Sequence, residues 1–266
     1  CQDKAMRIGA FEIQEPVPEF HELHVLAMLY PWVDAGSVGT LTLHRLERYF
    51  GAHELGRLAR PGTFFDFTRY RPMSRSEDGR RVVTTPNSII NYTQRQGGTD
   101  FLFCHLLEPH AFAEEYAETI LELLNCLKVK RYCRLGAMYD DVPHTRPLLV
   151  TGSMGGQDFK DKMGIISPRR KAYQGPTTIM NLVTDGVDKL GIENMSLMVH
   201  LPQYVQLEED YSGMTRMLQT LCSLYNFPAE LPEVETGQRQ YMGLDAVVER
   251  NDSVKAYITI IEGCND

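Results

Sequence analysis

Asp140-Asp141-Val142-Pro143-His144-Thr145-Arg146-Pro147 brings two carboxylates, an imidazole and a guanidinium onto one short segment. Arg146 and His144 suit recognition of an anion through charge-assisted hydrogen bonds. The same groups equally suit an internal staple, with Arg146 paired to Asp140 or Asp141 across a loop without regular backbone bonding. Pro143 and Pro147 fix φ at about −65° and push Val142 and Arg146 toward extended backbone, so the segment is stiff in either role. Three other segments carry candidate binding groups. Asp34-Ala35-Gly36-Ser37 stands at a strand-to-helix junction, where backbone N–H groups and the helix dipole favour an anion. The alternative there is that Asp34 or Ser37 caps the helix and takes those donors itself. Gly175-Pro176-Thr177 opens a helix with proline in the first turn and allows close backbone approach. Leu201-Pro202-Gln203-Tyr204 ends a strand in another rigid turn.

Positioning these groups falls to apolar runs that read as buried strands: Leu23–Tyr30, Asp100–Leu107, Arg131–Tyr139 and Asn194–Leu201, with Leu148–Thr151 as a further candidate. Between them lie helical stripes. One follows Asp34 and closes at Gly51; others span His110 to Leu127, Pro176 to Leu190 and Glu208 to Tyr225. Glu54–Ala59 and Phe64–Phe67 read as short strands, and Gly155–Met163 as a short helix. Arg80–Thr84 and Ile89–Thr93 read as an antiparallel excursion after the Glu77-Asp78-Gly79 turn. Strands alternating with helices predict an α/β fold whose mostly parallel sheet is covered on both faces. Loops after residues 30, 139 and 201 then gather at one edge of that sheet, where open α/β folds bind ligands. The organisation reads as an extension over 1–20, an α/β domain over 21–230, and a linker with helix over 231–266. The stripe Leu244, Val247, Val248, Val254, Ile258, Ile261 marks that last part as a helical appendage or an oligomer contact.

The net charge of −8 and a pI near 5.5 argue against nucleic-acid or anionic-membrane partners, because no strong basic field exists. Arg69, Arg71, Arg75, Arg80 and Arg81 cluster locally, but Asp66, Glu77 and Asp78 dilute them into a solvated hairpin. No run approaches the ~18–20 apolar residues of a membrane span. The six cysteines show no C-x-x-C spacing, and Cys104, Cys126, Cys133 and Cys222 read as buried free thiols of a cytoplasmic protein. Cys1 in place of an initiator Met reads as a processed or trimmed N-terminus. There is no G-x-x-x-x-G-K-[ST], no G-x-G-x-x-G after a strand and no G-x-S-x-G elbow. Neither His21/His24 nor His105/His110 matches a catalytic metal motif. The expectation is no cofactor and no metal.

Taken together, the segments resemble the PAC2 family (proteasome assembly chaperone 2-like proteins, often labelled ATP-grasp superfamily), of bacterial or archaeal type. The resemblance spans about residues 20–230. It rests on Trp32-Val-Asp-Ala-Gly36, Phe65-Asp-Phe67 with Arg71-Pro72, Glu108-Pro109, and Leu135-Gly-Ala137 with Asp141-Val-Pro-His-Thr-Arg-Pro147. Tyr173-Gln-Gly-Pro-Thr177 and Leu201-Pro-Gln-Tyr-Val205 complete it. It implies a three-layer α/β/α sandwich similar to the phosphorylase/nucleosidase fold, with a C-terminal helical part and homo-oligomeric packing. Family members include proteasome assembly chaperones, while many bacterial relatives have no established activity. Nothing here supplies the lysines and metal-binding carboxylates of an ATP-grasp ligase. Two departures stand out. The family's P-H-Y is Pro202-Gln203-Tyr204, an amide for an imidazole, which argues against acid–base chemistry at this edge. Its G-P-T-G is Gly175-Pro-Thr-Thr178.

Two functions follow as expectations. The first is a non-enzymatic, homo-oligomeric assembly-chaperone-like protein with a proteasome subunit or another protein as partner. The second is an enzyme or sensor that binds a nucleoside, phosphate or other small anion at the strand edge. Its candidate residues are Asp34, Gly36, Asp141, His144, Arg146, Gly175, Pro176 and Tyr204.

Overall fold

A computed structural model of the chain describes residues 5–155, 157–158, 165–166, 176–227 and 231–264. In chain order the elements are β1 (Ala5–Ile8), β2 (Phe11–Gln14), β3 (His24–Tyr30), α1 (Val38–Phe50), β4 (His53–Leu58), β5 (Met73–Glu77), β6 (Arg80–Thr84), β7 (Ile89–Thr93) and β8 (Phe101–Leu107). There follow α2 (Ala113–Cys126), β9 (Arg131–Asp140), β10 (Val150–Met154), β11 (Gln157–Asp158), β12 (Ile165–Ile166), α3 (Met180–Lys189), β13 (Glu193–Pro202), α4 (Tyr211–Tyr225), α5 (Glu233–Val248) and α6 (Asp252–Cys264). The α/β class and the C-terminal helical region are as the sequence predicts.

The chain divides into two compact units, with the boundary passing through α1, β9 and β13. The first holds residues 5–31, 47–133 and 176–194. Its strand order is β1-β2-β4-β7-β8-β3. β3 and β8 run parallel in register from His24↔Phe101 to Tyr30↔Leu107, and the strands beyond β8 pair antiparallel. Val25 to Leu29 are all buried, which is why β3 reads as an unbroken apolar run rather than an alternating one. α2 buries Tyr116, Ile120, Leu123 and Leu124 at helical spacing. A Cβ at Gly186 would stand 2.2 Å from Leu121 Cδ1, so α2 and α3 approach closely because this position has no side chain.

The second unit holds 32–46, 134–155 with the short strands β11 and β12, 195–227 and 231–264. Its strands follow the order β9-β13-β10-β11, with β12 also on β10. β10 and β13 are antiparallel from Val150↔Val199 to Met154↔Met195. α4 buries Met214, Met217, Leu218 and Leu221, and Asp210 caps it by accepting from Gly213 N at 2.8 Å.

Several local expectations are corrected. Phe64–Phe67 is not a strand: it follows a 3-10 turn over Pro61–Thr63, and Phe64 and Phe65 are buried under the loop. Their apolarity reflects packing against Tyr116 rather than a pleat. Gly155 lies in a turn at φ +57° and Gln157–Asp158 pairs with β10, so no helix starts there. The rest of that segment, to Met163, lies outside the described residues. α3 starts at Met180 rather than Pro176. α4 starts at Tyr211 rather than Glu208, because Asp210 is its cap. The terminal stripe is two helices separated at 249–251, and its Ile258 and Ile261 are buried. Cys126 is exposed, unlike Cys104, Cys133 and Cys222. β1 and β2 form a hairpin where the sequence predicts only an extension.

Candidate functional site

The candidate residues in the second unit assemble from the ends of β9 and β13. β9 carries Asp140 to the start of the stiff loop, and β13 delivers His200, Gln203 and Tyr204. Gln203 N donates to Asp140 O at 3.2 Å, tying the two strand ends together. His200 is buried and bridges three strands, its Nδ1 2.7 Å from Asp140 Oδ2 and its Nε2 2.8 Å from Thr151 Oγ1. Asp140 therefore pairs with a histidine that the sequence did not single out.

His144 is the hub of the loop. Its backbone N–H donates to the Tyr204 hydroxyl at 2.8 Å, and its ring Nδ1 lies 2.7 Å from the same oxygen. Nε2 lies 2.9 Å from Asp245 Oδ1 of α5. Burial pushes the Tyr204 hydroxyl up to about 12, so it keeps its proton at neutral pH. The hydroxyl that accepts from the backbone N–H can also donate to Nδ1, an arrangement in which Nε2–H faces the Asp245 carboxylate. The His144 side chain is 2% exposed while that of Asp245 is 59% exposed, so the pair closes over the loop from outside.

α6 closes the remaining face. Asp141 accepts from both Gln203 Nε2 and the Tyr257 hydroxyl, and Gln203 Nε2 also lies 2.6 Å from the Tyr257 oxygen. Thr145 Oγ1 donates to Glu262. The bond to Asp141 is the main cause holding the Tyr257 hydroxyl above its ordinary range. Gln203, which stands where the resemblance has histidine, is thus a connector between loop and helix. The rings of Tyr204 and Tyr241 meet His144 edge-on, with centroids 5.6 and 6.1 Å away.

At the Asp34 segment, the carboxylate accepts from Gly39 N at 2.7 Å and Thr40 N at 3.2 Å, and its second oxygen accepts from Thr40 Oγ1 at 2.6 Å. It is a buried helix cap. Gly36 has φ +56°, and its carbonyl accepts from Asp210 N at 2.8 Å. A Cβ there would stand 2.7 Å from Asp210 Cβ, so the glycine is required by packing as well as by backbone. Asp210 takes a further bond from the buried Tyr241 hydroxyl at 2.8 Å. Burial raises the Asp210 carboxyl despite these donors, and burial, followed by the charge of Asp210, raises Tyr241.

Asp34, Gly36, Asp141, His144, Arg146 and Tyr204 thus all belong to one unit, and Arg146 is half-buried on the loop. Pro176 belongs to the other unit, where it is exposed ahead of α3, and Gly175 lies outside the described residues. The sequence does not mark Asp245, Tyr257 and Glu262 as site residues. Their positions in sequence carry no cue to a loop about a hundred residues away. The Asp210 cap did leave a signal, an acid immediately before an amphipathic run. Chemically, Asp141, His144 and Tyr204 are engaged by groups of the same unit, an arrangement that fastens the loop to α5 and α6. No helix among the described residues is long and apolar enough to cross a membrane.

The model of the PAC2 family matches residues 28–240. No curated protein matches the chain. Among solved structures, a PAC2 family protein from Streptomyces avermitilis superposes with a TM-score of 0.77 at 23% identity, covering 88% of this chain and 99% of that one. A proteasome-assembly chaperone homologue from Mycobacterium tuberculosis gives 0.75 at 20%, covering 88% and 99%. An archaeal proteasome activator from Pyrococcus furiosus gives 0.68 at 13%, covering 91% and 98%. With the matched model spanning most of the sequence, this chain belongs to the PAC2 family.

Proposed function

We propose that this protein acts by binding other proteins rather than by catalysis, as a homo-oligomeric, cytoplasmic, assembly-chaperone-like member of its family. The observation that carries this reading is the engagement of His144, Tyr204 and Asp141 by α5, α6 and one another, which leaves these groups serving as a scaffold. The likeness to a chaperone homologue and to a proteasome activator makes proteasome subunits the first partners to test. The protein, immobilised and exposed to extract of its native cell, is expected to retain proteasome α subunits or one other defined partner in stoichiometric amount. Retention of no partner, together with turnover of a small molecule, sinks the reading.

The convergence of Asp141, His144 and Tyr204 supports a second reading, a small anion held at this loop with Arg146 as its charged partner. A nucleoside or phosphate at 100 times its Kd would add about 2.7 kcal/mol of stability. Arg146→Ala should abolish that shift. A shift that survives in the variant places the ligand elsewhere.

A further inference from the structure

The two-stranded ribbon β5–β6 is a separate sheet of the first unit. It turns at Asp78-Gly79, both at positive φ, and pairs from Met73↔Thr84 to Glu77↔Arg80. Every residue of β5 is exposed, and β6 is exposed except for half-buried Val82. A two-stranded hairpin with both faces in water is marginal by itself, so a ribbon that keeps this form needs a surface to cover it. Its composition describes that surface. Residues 69–84 carry five arginines against Glu77 and Asp78, a net of +3 in a chain whose total is −8, leaving −11 for the rest. Among these arginines stand Met73 and Val83, 66% and 54% exposed. Arginine and methionine together with a few apolar side chains are what protein interfaces are enriched in.

The complementary surface is present in the same sequence. Residues 195–266 hold eleven acidic against four basic residues, a net of −7. On α5, on α6 and in the turn between them, Glu235, Asp252 and Glu249 are exposed, and so are Met242 and Ile260, at 69% and 63%. These two are not the residues that face inward: Ile258 and Ile261 do that. We propose that residues 69–84 form a cationic arm that docks on the acidic C-terminal helices of a second copy of this chain. The inference rests on the homo-oligomeric part of the function proposed above and assigns its interface. Arginine of one copy meets carboxylate of the next, while Met73 and Val83 meet Met242 and Ile260. Opposite fields speed encounter and set register, and the apolar pairs supply non-directional burial.

Light scattering after size exclusion tests the arm. The wild-type chain at tens of micromolar should run as an oligomer whose mass falls between 0.1 and 1 M salt, since screening shortens the reach of charge from about 10 to about 3 Å. Arg75→Glu with Arg80→Glu and Arg81→Glu should weaken association by about tenfold or more, with an unchanged circular-dichroism spectrum showing that the chain still folds. Adding Glu235→Arg, Glu249→Arg and Asp252→Arg to that variant should restore the mass. A monomeric wild type overturns both the arm and the homo-oligomeric reading. An oligomer that ignores the arm substitutions overturns the arm alone and leaves the function proposed above standing. Loss of mass without restoration by the charge swap overturns the assignment to α5 and α6.

Discussion

Tyr204 meets His144 twice, through the backbone N–H at 2.8 Å and through the ring Nδ1 at 2.7 Å, across sixty residues of sequence. One hydroxyl thereby fixes both the path of the loop and the orientation of its imidazole. Tyr204→Phe keeps the ring packing on His144 and Tyr257 and removes that oxygen. Two polar groups of His144 lose their partner, at a cost of about 1–3 kcal/mol. Urea denaturation should show the midpoint falling with the slope unchanged, and a midpoint within error of wild type would remove Tyr204 as the anchor.

The outer half of the clasp should matter less than the inner half. Asp245 is mostly exposed, so Asp245→Asn should cost within about 0.5 kcal/mol in the same assay. His144→Ala, which empties a buried position, should cost about 2–3 kcal/mol. Equal effects at the two positions would mean that the contact with Asp245, rather than the burial of the imidazole, holds the loop.

Gly36→Ala combines a left-handed backbone with a Cβ 2.7 Å from Asp210 Cβ. A loss of about 2 kcal/mol or more is expected from strain and overpacking together. Thermal melting reads this directly, and a tolerated alanine would show that the Asp34–Ser37 turn relaxes.

His24 in β3 predicts a pH dependence. Burial, followed by the charge of Arg131, lowers its imidazole to about 4. The unfolded chain then takes up a proton near pH 6.5 that the folded chain refuses until about pH 4. Its contribution is fully present above pH 6.5 and is lost as pH falls through that window. For a half-buried ring, after solvent screening, the loss is about 1–2 kcal/mol. His24→Gln should flatten the stability profile between those pH values; an unaltered slope would assign the acid sensitivity to other groups.

Much of this architecture is legible residue by residue. The runs in β3, β8, β9 and β13 are apolar because both sides of each strand are covered, and that requirement leaves its mark locally. The stripes of α2 and α4 are equally local, since one face of each meets a core. The stiffness of the Val142–Pro147 loop follows from its prolines alone. The same local rule misled at Phe64–Phe67, where apolar residues fill the space beneath a loop and mimic a strand. It also joined α5 and α6, because the periodicity continues across the break at 249–251.

What tertiary structure alone decided is which groups answer one another. His200 meets Asp140 and Thr151 across 60 and 49 residues, and His144 meets Asp245 across 101. A carboxylate or an imidazole carries the same chemistry whether it faces a ligand or its own chain. Asp34 as a cap, and Asp141 and His144 as fastenings for the C-terminal helices, therefore emerge only once folding has brought distant hydrogen-bonding partners within reach. Local patterning records whether a residue must be buried; a hydrogen bond between remote segments leaves no period in the sequence to record it.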